Sequence, residues 1–338
     1  MTGLSDPFNR PINYLRISVT DRCNLRCIYC LPAEGINLLP QGEVLSYEEI
    51  ARIAALAAEL GINKVRLTGG EPLARTRLKE LVAMLAGISG IDDISMTTNG
   101  VLLAQNAAEL KEAGLKRINV SLDSLSSTKF ERIARQDKLG DVLKGIEAAK
   151  ACGLKPVKVN MVVMRGINDD EVMDFARLTI TENWHVRFIE LMPFATDNPP
   201  DGHSMGYKAS LHPAFVSASE IKERLQMLGE LEPSLPITGN GPARYFRLPQ
   251  AGGTIGFITP VSQHFCFSCN RLRLTAEGKL RPCLLSDHEI DLRQPVRSGA
   301  SPQELKKVIT EAIQEKPQKH ELSQGRASKK RLMSQVGG

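Results

Sequence analysis

Short β-branched runs alternate with amphipathic stretches through the first two-thirds of the chain. The strand-like runs lie at 14–20, 64–72, 93–100, 117–124, 157–163 and 186–193. The intervening stretches have helical spacing, as in 46–61, where Ser46 precedes Glu49 by three residues in the pattern of a capping box and Gly61 ends the run. Strands that alternate with helices predict parallel βαβ units. About six such units are too few for a closed eightfold barrel, so we predict an α/β fold that forms a partial, incomplete TIM-type barrel.

The predicted strands have one polar face each. Because side chains alternate along a strand, Arg16 and Thr20 share one face of the first run, with Leu15 and Ile17 on the other. The same alternation groups further polar side chains on one face of their strands: Arg66 and Thr68; Ser95, Thr97 and Asn99; Asn119, Ser121 and Asp123; Lys158 and Asn160. Buried parallel strands are usually apolar on both faces. We therefore predict a cavity that holds a polar ligand, unless the assumed register is shifted by one or two residues.

The strand–helix rhythm stops after Pro193. Residues 194–213 are rich in Pro, Gly, Asp and Ser, and they predict a long loop, either a lid or disordered. A helix at 217–231, β-like pieces at 243–248 and 253–260, a final helix near 302–315 and a basic tail follow. We therefore divide the chain into a barrel core, 1–193, and a C-terminal region, 194–338.

The composition is that of a soluble, well-cored protein, with 42% hydrophobic and 24% charged residues among 338. No apolar run approaches the roughly 20 residues that a membrane span needs, and the N-terminus has no apolar signal segment. We expect a cytoplasmic protein without a membrane partner. In that compartment the seven cysteines suit metal binding or chemistry better than disulfides. The net charge of +5 fits a phosphorylated small molecule, a nucleic acid or simply a solvated surface.

Three cysteines, Cys23, Cys27 and Cys30, follow the first predicted strand in the stretch "RISVTDRCNLRCIYCLP". A structural zinc site takes four ligands, and a cubane iron–sulfur cluster is normally held by four thiolates. Three thiols would leave one iron of a cubane open to a small-molecule ligand. A zinc site completed from elsewhere in the chain, or three cysteines without a shared role, are the alternatives.

A second group of three cysteines lies near the C-terminus, in "FCFSCNRLRLTAEGKLRPCL". Cys266 and Cys269 form a CxxC pair, and Cys283 follows later. His264 and His288 are near enough in sequence to complete a zinc site, so zinc is a serious alternative here. The remaining cysteine, Cys152, is typical of a small buried residue.

The first cysteine group resembles the signature of the radical S-adenosylmethionine (SAM) superfamily. The resemblance rests on the Cys-x3-Cys-x2-Cys spacing with Tyr29 before the third cysteine, and on "TGGEP" (68–72), "SLD" (121–123) and "ELMP" (190–193). With the second group, "RQDK" (135–138), "VKVN" (157–160), "CNRLR" (269–273) and the terminal Gly-Gly, the chain resembles the GTP 3′,8-cyclase family of molybdenum cofactor biosynthesis from Tyr14 to Gly338. The family resemblance implies two [4Fe–4S] clusters, each with one open iron. The first would be held by Cys23, Cys27 and Cys30, and the second, in the C-terminal extension, by Cys266, Cys269 and Cys283.

The resemblance also implies roles for individual residues. The expected SAM contacts are Tyr29, Gly70, Ser121 and Met192. The expected GTP contacts are Arg16, Arg66, Thr97, Lys158, Arg271, Arg273 and, through its backbone, Leu272. Arg271 and Arg273 would assist ring closure as catalytic residues, and Gly337 and Gly338 would thread back into the cavity. A salt bridge to Asp123 or Glu190 is the structural alternative for any one of the cations.

The reaction implied by the resemblance begins when an electron from the first cluster cleaves SAM to a 5′-deoxyadenosyl radical. That radical would take the ribose 3′ hydrogen of GTP, and the ribose carbon would then attack guanine C8. Expected partners are GTP, an electron donor such as flavodoxin or ferredoxin, and a downstream cyclic pyranopterin monophosphate synthase. We expect no nucleic acid, and a monomer or homodimer. The alternatives are a two-cluster radical SAM enzyme acting on a peptide or another metabolite, and a zinc-dependent nucleic-acid-binding module.

Overall fold

Six parallel strands form the centre of the sheet. The computed structural model describes residues 3–193, 212–238, 241–322 and 331–336, so most of the loop expected at 194–213 lies outside the described residues. The central strands, in spatial order, are β1 (Tyr14–Ser18), β2 (Lys64–Thr68), β3 (Asp93–Thr98), β4 (Arg117–Ser121), β5 (Val157–Val163) and β6 (His185–Glu190). Each strand pairs in parallel with the next, which confirms the predicted partial barrel.

Strands from the C-terminal region extend both edges of this sheet. They are β7 (Glu232–Pro233), β8 (Arg244–Arg247), β9 (Thr254–Ile258), β10 (Arg271–Leu274), β11 (Lys279–Arg281) and β12 (Ile290–Asp291). β9 pairs in parallel with β6, and β10 pairs in parallel with β1. The other four are antiparallel additions at the two ends. As a result, the "CNRLR" stretch lies directly beside the strand that leads into the first cysteine group.

The helices connect the strands and cover the outer face of the sheet. They are α1 (Tyr47–Glu59), α2 (Leu78–Ala86), α3 (Leu103–Glu112), α4 (Ser127–Ala134), α5 (Leu139–Ala151), α6 (Val172–Thr181), α7 (Ala218–Leu225), α8 (Arg293–Arg297) and α9 (Pro302–Gln314). α1 begins with the predicted capping box: Glu49 N donates to Ser46 Oγ at 3.1 Å, and Ser46 N donates to the Glu49 carboxylate at 2.7 Å. Among the described residues, no helix is both long and apolar enough to cross a membrane.

The apolar faces of the strands form the core. Leu15, Ile17, Val65 and Leu67 are all buried in one hydrophobic cluster with the inner faces of the helices. Burial of apolar surface contributes about 25 cal/mol per Å², so this layer is the main source of stability. The polar residues between them are thereby directed toward the opposite side, the interior of the partial barrel.

We expect Gly145→Ala in α5 to lower the free energy of unfolding by about 1–3 kcal/mol, the usual cost of overpacking. The added Cβ would lie 2.5 Å from the Gly100 carbonyl oxygen, where α5 packs near the turn after β3. Gly140→Ala in the same helix is the matched control, because nothing lies within 4 Å of its added Cβ. The control should be neutral or stabilising by up to about 1 kcal/mol. Urea unfolding measures both, and equal effects would contradict the packing argument.

Candidate functional site

The polar strand faces and both cysteine groups line one cavity. All six grouped cysteines border it: Cys23, Cys27, Cys30, Cys266, Cys269 and Cys283. So do polar residues placed on one face by alternation: Arg16, Arg66, Thr68, Thr97, Asn99, Ser121, Asp123 and Asn160. The prediction that these polar faces line a cavity is therefore confirmed. Tyr29, Gly70, Met192, Arg271 and Arg273 also line it.

Two arginines brace the loop that carries the first cysteine group. The Arg26 guanidinium donates to the carbonyls of Cys23 and Leu25 at 2.6 and 2.9 Å. Arg135 donates in turn to the carbonyls of Arg26 and Leu31 at 3.1 and 2.9 Å. These bonds fix a loop that has little regular structure of its own. Arg135 belongs to the "RQDK" motif, but the motif by itself did not predict this role.

The glycine pair of "TGGEP" is needed for close packing against the same loop. Gly70 N donates to the Thr20 carbonyl at 2.8 Å, and Glu71 N donates to the Arg22 carbonyl at 2.8 Å. A Cβ at Gly70 would lie 2.3 Å from the Arg22 carbonyl oxygen, and Gly69 has φ +147°. Any larger residue would push the cysteine loop away. The predicted SAM contact of Gly70 stays a prediction.

Glu71 joins the carboxyl ends of two strands and was missed by sequence reasoning. Its fully buried carboxylate accepts hydrogen bonds from Leu73 N at 3.0 Å, Thr98 Oγ1 at 2.7 Å and Asn99 N at 2.7 Å. Burial raises the pKa of this carboxyl group, while the bond from Asn99 and the others act to lower it. The Asn99 side chain then donates to the Asn24 side-chain oxygen at 2.7 Å, which ties the end of β3 to the cysteine loop.

The two interior carboxylates are bonded to other groups rather than to the interior cations. Tyr29 Oη donates to Asp123 at 2.6 Å, and Val162 N donates to the same carboxylate at 2.8 Å. Burial raises the pKa of Asp123 to about 6. Glu190 accepts from Val261 N and Ser262 N at 3.1 and 2.9 Å. In the described part of the chain neither carboxylate forms a salt bridge with an interior arginine or lysine, so the structural alternative fails for Asp123 and Glu190.

Three arginines lie in register on adjacent strands. Arg16 of β1 is paired with Arg273 of β10 on one side and with Arg66 of β2 on the other. Arg66 and Arg273 are buried, at 7% and 4% exposure. Burial, followed by the charges of Arg273 and Arg66, lowers the pKa of Arg16 well below its ordinary value. Burial and Arg271 lower the pKa of Arg273 to about 9. We call this row, Arg273, Arg16 and Arg66, the arginine row; its concentrated positive charge favours an anionic ligand.

Arg187 of β6 adds a fourth cation from the opposite side and was not identified from the sequence. It lines the cavity, is buried, and donates a hydrogen bond to the Asn119 side-chain oxygen. The Arg187 side chain has room because residue 256 of β9 is a glycine: a Cβ added at Gly256 would lie 2.9 Å from Arg187 Cγ. The sequence did contain a signal for this position. Side chains alternate along the run at 186–193, and Arg187 falls on the same face as Asn160, its partner on β5.

Lys158 lies near the amino end of β5, outside the set of residues that line the cavity. Its ammonium donates to the Thr238 carbonyl at 2.7 Å, an oxygen that also accepts from Arg117. Burial, then Arg187 and Arg117, lowers the pKa of Lys158 to about 6. The Leu272 side chain lies in the hydrophobic core, so only its backbone is available to a ligand. The predicted GTP contacts of both residues stay predictions.

The second cysteine group has a more cationic environment than the first. Burial acts to raise the pKa of Cys269, but Arg271 and Lys316 outweigh it and the pKa falls to about 6. In the first group, burial raises the pKa of Cys30 to about 12 and also raises those of Cys23 and Cys27. The cavity is therefore cationic at the second cysteine group. At the first group, burial outweighs the effect of nearby cations on the thiol pKa values.

The histidines considered as zinc ligands contact other side chains. His288 is exposed and contacts Glu315, and the His264 ring packs edge-to-face on His320 at 5.5 Å. Among the described side chains, no three Cys, His, Asp or Glu groups are arranged to hold a single metal ion.

The chemistry of the donor atoms fits two iron–sulfur clusters. Each group supplies three thiols that line the cavity, and a cationic metal centre lying against them would stabilise their thiolate forms. Both groups also receive N–H···S contacts of the kind that surround such clusters: Leu25 N donates to Cys23 Sγ at 3.4 Å, and Arg271 donates to Cys269 Sγ at 3.5 Å.

The terminal glycines, Gly337 and Gly338, lie outside the described residues. The preceding residue, Val336, accepts a hydrogen bond from Arg273 through its carbonyl at 3.3 Å, and Ser334 lines the cavity. The chain thus approaches the arginine row just before its end, and the predicted insertion of the two glycines stays a prediction.

Comparison with known proteins gives consistent matches along the chain. Residues 17–179 match the model of the radical SAM superfamily, and residues 184–322 match the model described as Molybdenum Cofactor Synthesis C. The chain is 53% identical over 334 residues to the "GTP 3′,8-cyclase" of Desulforamulus reducens, covering 98% of this chain and 99% of that protein. It is 50% identical over 335 residues to the protein of the same name from Moorella thermoacetica, covering 99% and 100%.

A more distant likeness supports the fold alone. The crystal structure of Streptococcus suis SuiB bound to S-adenosylmethionine matches with a TM-score of 0.57 at 14% identity. The match covers 86% of this chain and 66% of that chain.

We expect Arg187→Met to weaken binding of inorganic triphosphate at least about tenfold, because a hydrogen bond to a charged group contributes about 1.5–3 kcal/mol. Arg177→Met is the control, since Arg177 pairs with Asp174 on the exposed face of α6 at 2.7 Å. Isothermal titration calorimetry measures both affinities. An unchanged affinity in the Arg187 variant would show that this cation does not face the anion.

Proposed function

The chain belongs to the GTP 3′,8-cyclase family, and from that membership we propose that it converts GTP to (8S)-3′,8-cyclo-7,8-dihydroguanosine 5′-triphosphate. This is the first step of molybdenum cofactor biosynthesis. Relatives of about half identity over nearly their whole length carry that name. The observation that carries the proposal is the placement of two cysteine groups and the arginine row around a single cavity.

Each cysteine group would hold one cluster. Cys23, Cys27 and Cys30 would bind the first and Cys266, Cys269 and Cys283 the second, each with one iron left to a small molecule. When bound and reduced, the first cluster supplies the electron that cleaves SAM. Tyr29, Gly70, Ser121 and Met192 are proposed to hold SAM, and all four line the cavity.

The charges of the cavity favour one orientation for the two small molecules. The arginine row and Arg187 would hold the triphosphate of GTP, because an anion relieves the repulsion among these buried cations. Arg271 adjoins the second cysteine group and, with Arg273, is proposed to stabilise charge during ring closure. SAM carries a sulfonium and an ammonium group, which suit the end that holds Asp123. Thr97 and Lys158 remain proposed GTP contacts.

Burial of the site suits the proposed reaction. Strand faces and loops enclose the reacting atoms, so bulk water and stray hydrogen donors would be excluded. The chain's own residues thereby bind and orient the substrates, while the bound cofactors supply the reactivity.

Further partners follow from this activity. An electron donor of the flavodoxin or ferredoxin type would reduce the first cluster, and a cyclic pyranopterin monophosphate synthase would consume the product. We propose no nucleic-acid partner and a monomeric or homodimeric protein.

The activity is tested with anaerobically purified, dithionite-reduced protein incubated with GTP and SAM. We expect 5′-deoxyadenosine to form in step with GTP loss, because hydrogen abstraction and cyclisation are coupled. Cys27→Ser should abolish deoxyadenosine formation, whereas Cys152→Ser should leave it unchanged, since Cys152 does not line the cavity. Chromatography with mass spectrometry measures both products. GTP that persists while deoxyadenosine accumulates would rule out the cyclase.

We expect Lys158→Met to weaken GTP binding by about 1.5–3 kcal/mol and to leave SAM binding nearly unchanged, since a charged phosphate contact is lost. The exposed Lys144→Met of α5 serves as the control for a lost lysine charge. Equilibrium binding to the anaerobic holoenzyme measures both ligands. Equal losses for GTP and SAM would show that Lys158 acts structurally.

A further inference from the structure

A three-residue segment after α9 contacts the backbone beside two cysteines of the second group and is linked through Arg10 to the third, Cys266. This 316–318 segment consists of Lys316, Pro317 and Gln318. Lys316 is 5% exposed and lines the cavity together with the cysteines. A charged lysine that is buried this deeply loses its hydration, so hydrogen bonds to protein atoms must compensate for that loss.

Lys316 joins two of the three cysteine-bearing stretches. Its Nζ donates to the Arg271 carbonyl at 2.8 Å and to the Pro282 carbonyl at 2.5 Å. Arg271 lies two residues after Cys269, and Pro282 directly precedes Cys283. One ammonium group therefore bridges the backbone near Cys269 and the backbone next to Cys283.

Arg10 joins the third stretch to the same segment. Its Nη1 donates to the carbonyls of Cys266 at 2.7 Å and Gln318 at 2.9 Å, and its Nη2 donates to the Pro317 carbonyl at 2.7 Å. Its Nε donates to the Asp6 carboxylate at 2.5 Å, which holds the guanidinium in that orientation. Arg10 is itself buried at 5% exposure.

We propose that Lys316 and Arg10 are positioning residues that hold Cys266, Cys269 and Cys283 at the spacing the second cluster requires. The inference rests on the proposed function, because it presumes that cluster. Bonds from a buried ammonium or guanidinium to carbonyls are charge-assisted and directional. The β10–β11 hairpin brings Cys283 back toward Arg271, and the two bonds from Lys316 hold the backbone together at that open end of the hairpin. The positive charge would also offset that of the thiolates.

The test separates the two clusters in the full-length chain. One background carries Cys23→Ser, Cys27→Ser and Cys30→Ser, which leaves the second group; the other carries Cys266→Ser, Cys269→Ser and Cys283→Ser, which leaves the first. Lys316→Met and Arg10→Met are introduced into each background, with the exposed Lys319→Met as control. After anaerobic reconstitution, iron per chain, the electron paramagnetic resonance spectrum and the rate of iron loss to a chelator are measured.

We expect Lys316→Met and Arg10→Met to speed iron loss from the second group about 10–100-fold, the usual effect of losing outer partners of a metal site. The spectrum of the second cluster should change as well. The first cluster and the Lys319→Met control should keep their rates and spectra. Lys316→Gln retains a hydrogen-bond donor but no charge, so its rate of iron loss should be intermediate. This variant replaces Lys316→Met in the test if Lys316→Met folds poorly.

Equal acceleration in both backgrounds would overturn the proposal, because it would show general destabilisation. Unchanged iron loss from the second group would overturn it as well. If the unsubstituted second-group background binds no iron–sulfur cluster at all, the proposed function fails first, and the inference fails with it. That result is distinguishable because it appears before Lys316 or Arg10 is changed.

Discussion

Buried positive charge is the constraint on which the interior of this protein depends. Arg273, Arg16 and Arg66 lie in register on three adjacent strands, where mutual repulsion and lost hydration both disfavour them. Within the described residues, the interior carboxylates of Asp123 and Glu190 form no salt bridge with this row, since each accepts hydrogen bonds from other groups. Such an arrangement favours an anionic ligand, so the binding preference is built into the strand faces themselves.

The free energy gained by burying the apolar layer offsets the cost of burying these charges. Leu15, Ile17, Val65 and Leu67 alternate with the arginines and are buried against the helices. Reversing the strand faces would bury the charges in the core, so the register is strongly specified. The same alternation that stabilises the fold thus directs the cations into the cavity.

The two cysteine groups lie in different electrostatic surroundings, which suits different ligands. Arg26, Arg135 and the close approach of Gly70 fix the first loop through backbone carbonyls. The second group lies at the cationic end, beside Arg271 and Lys316. The contrast supports the proposed division between a site for SAM and a site for GTP.

The sequence by itself determined the βα order, the polar strand faces, the α1 capping box and the six cysteines, because all of these depend on local periodicity or spacing. The resemblance to a family added the candidate ligand contacts. Only the tertiary structure placed β9 and β10 at opposite edges of the barrel sheet, and only it revealed the roles of Glu71, Arg187, Arg10 and Lys316. Each of these residues acts on a partner far away in sequence, and a hydrogen bond or a shared burial of that kind leaves no periodic trace in the chain.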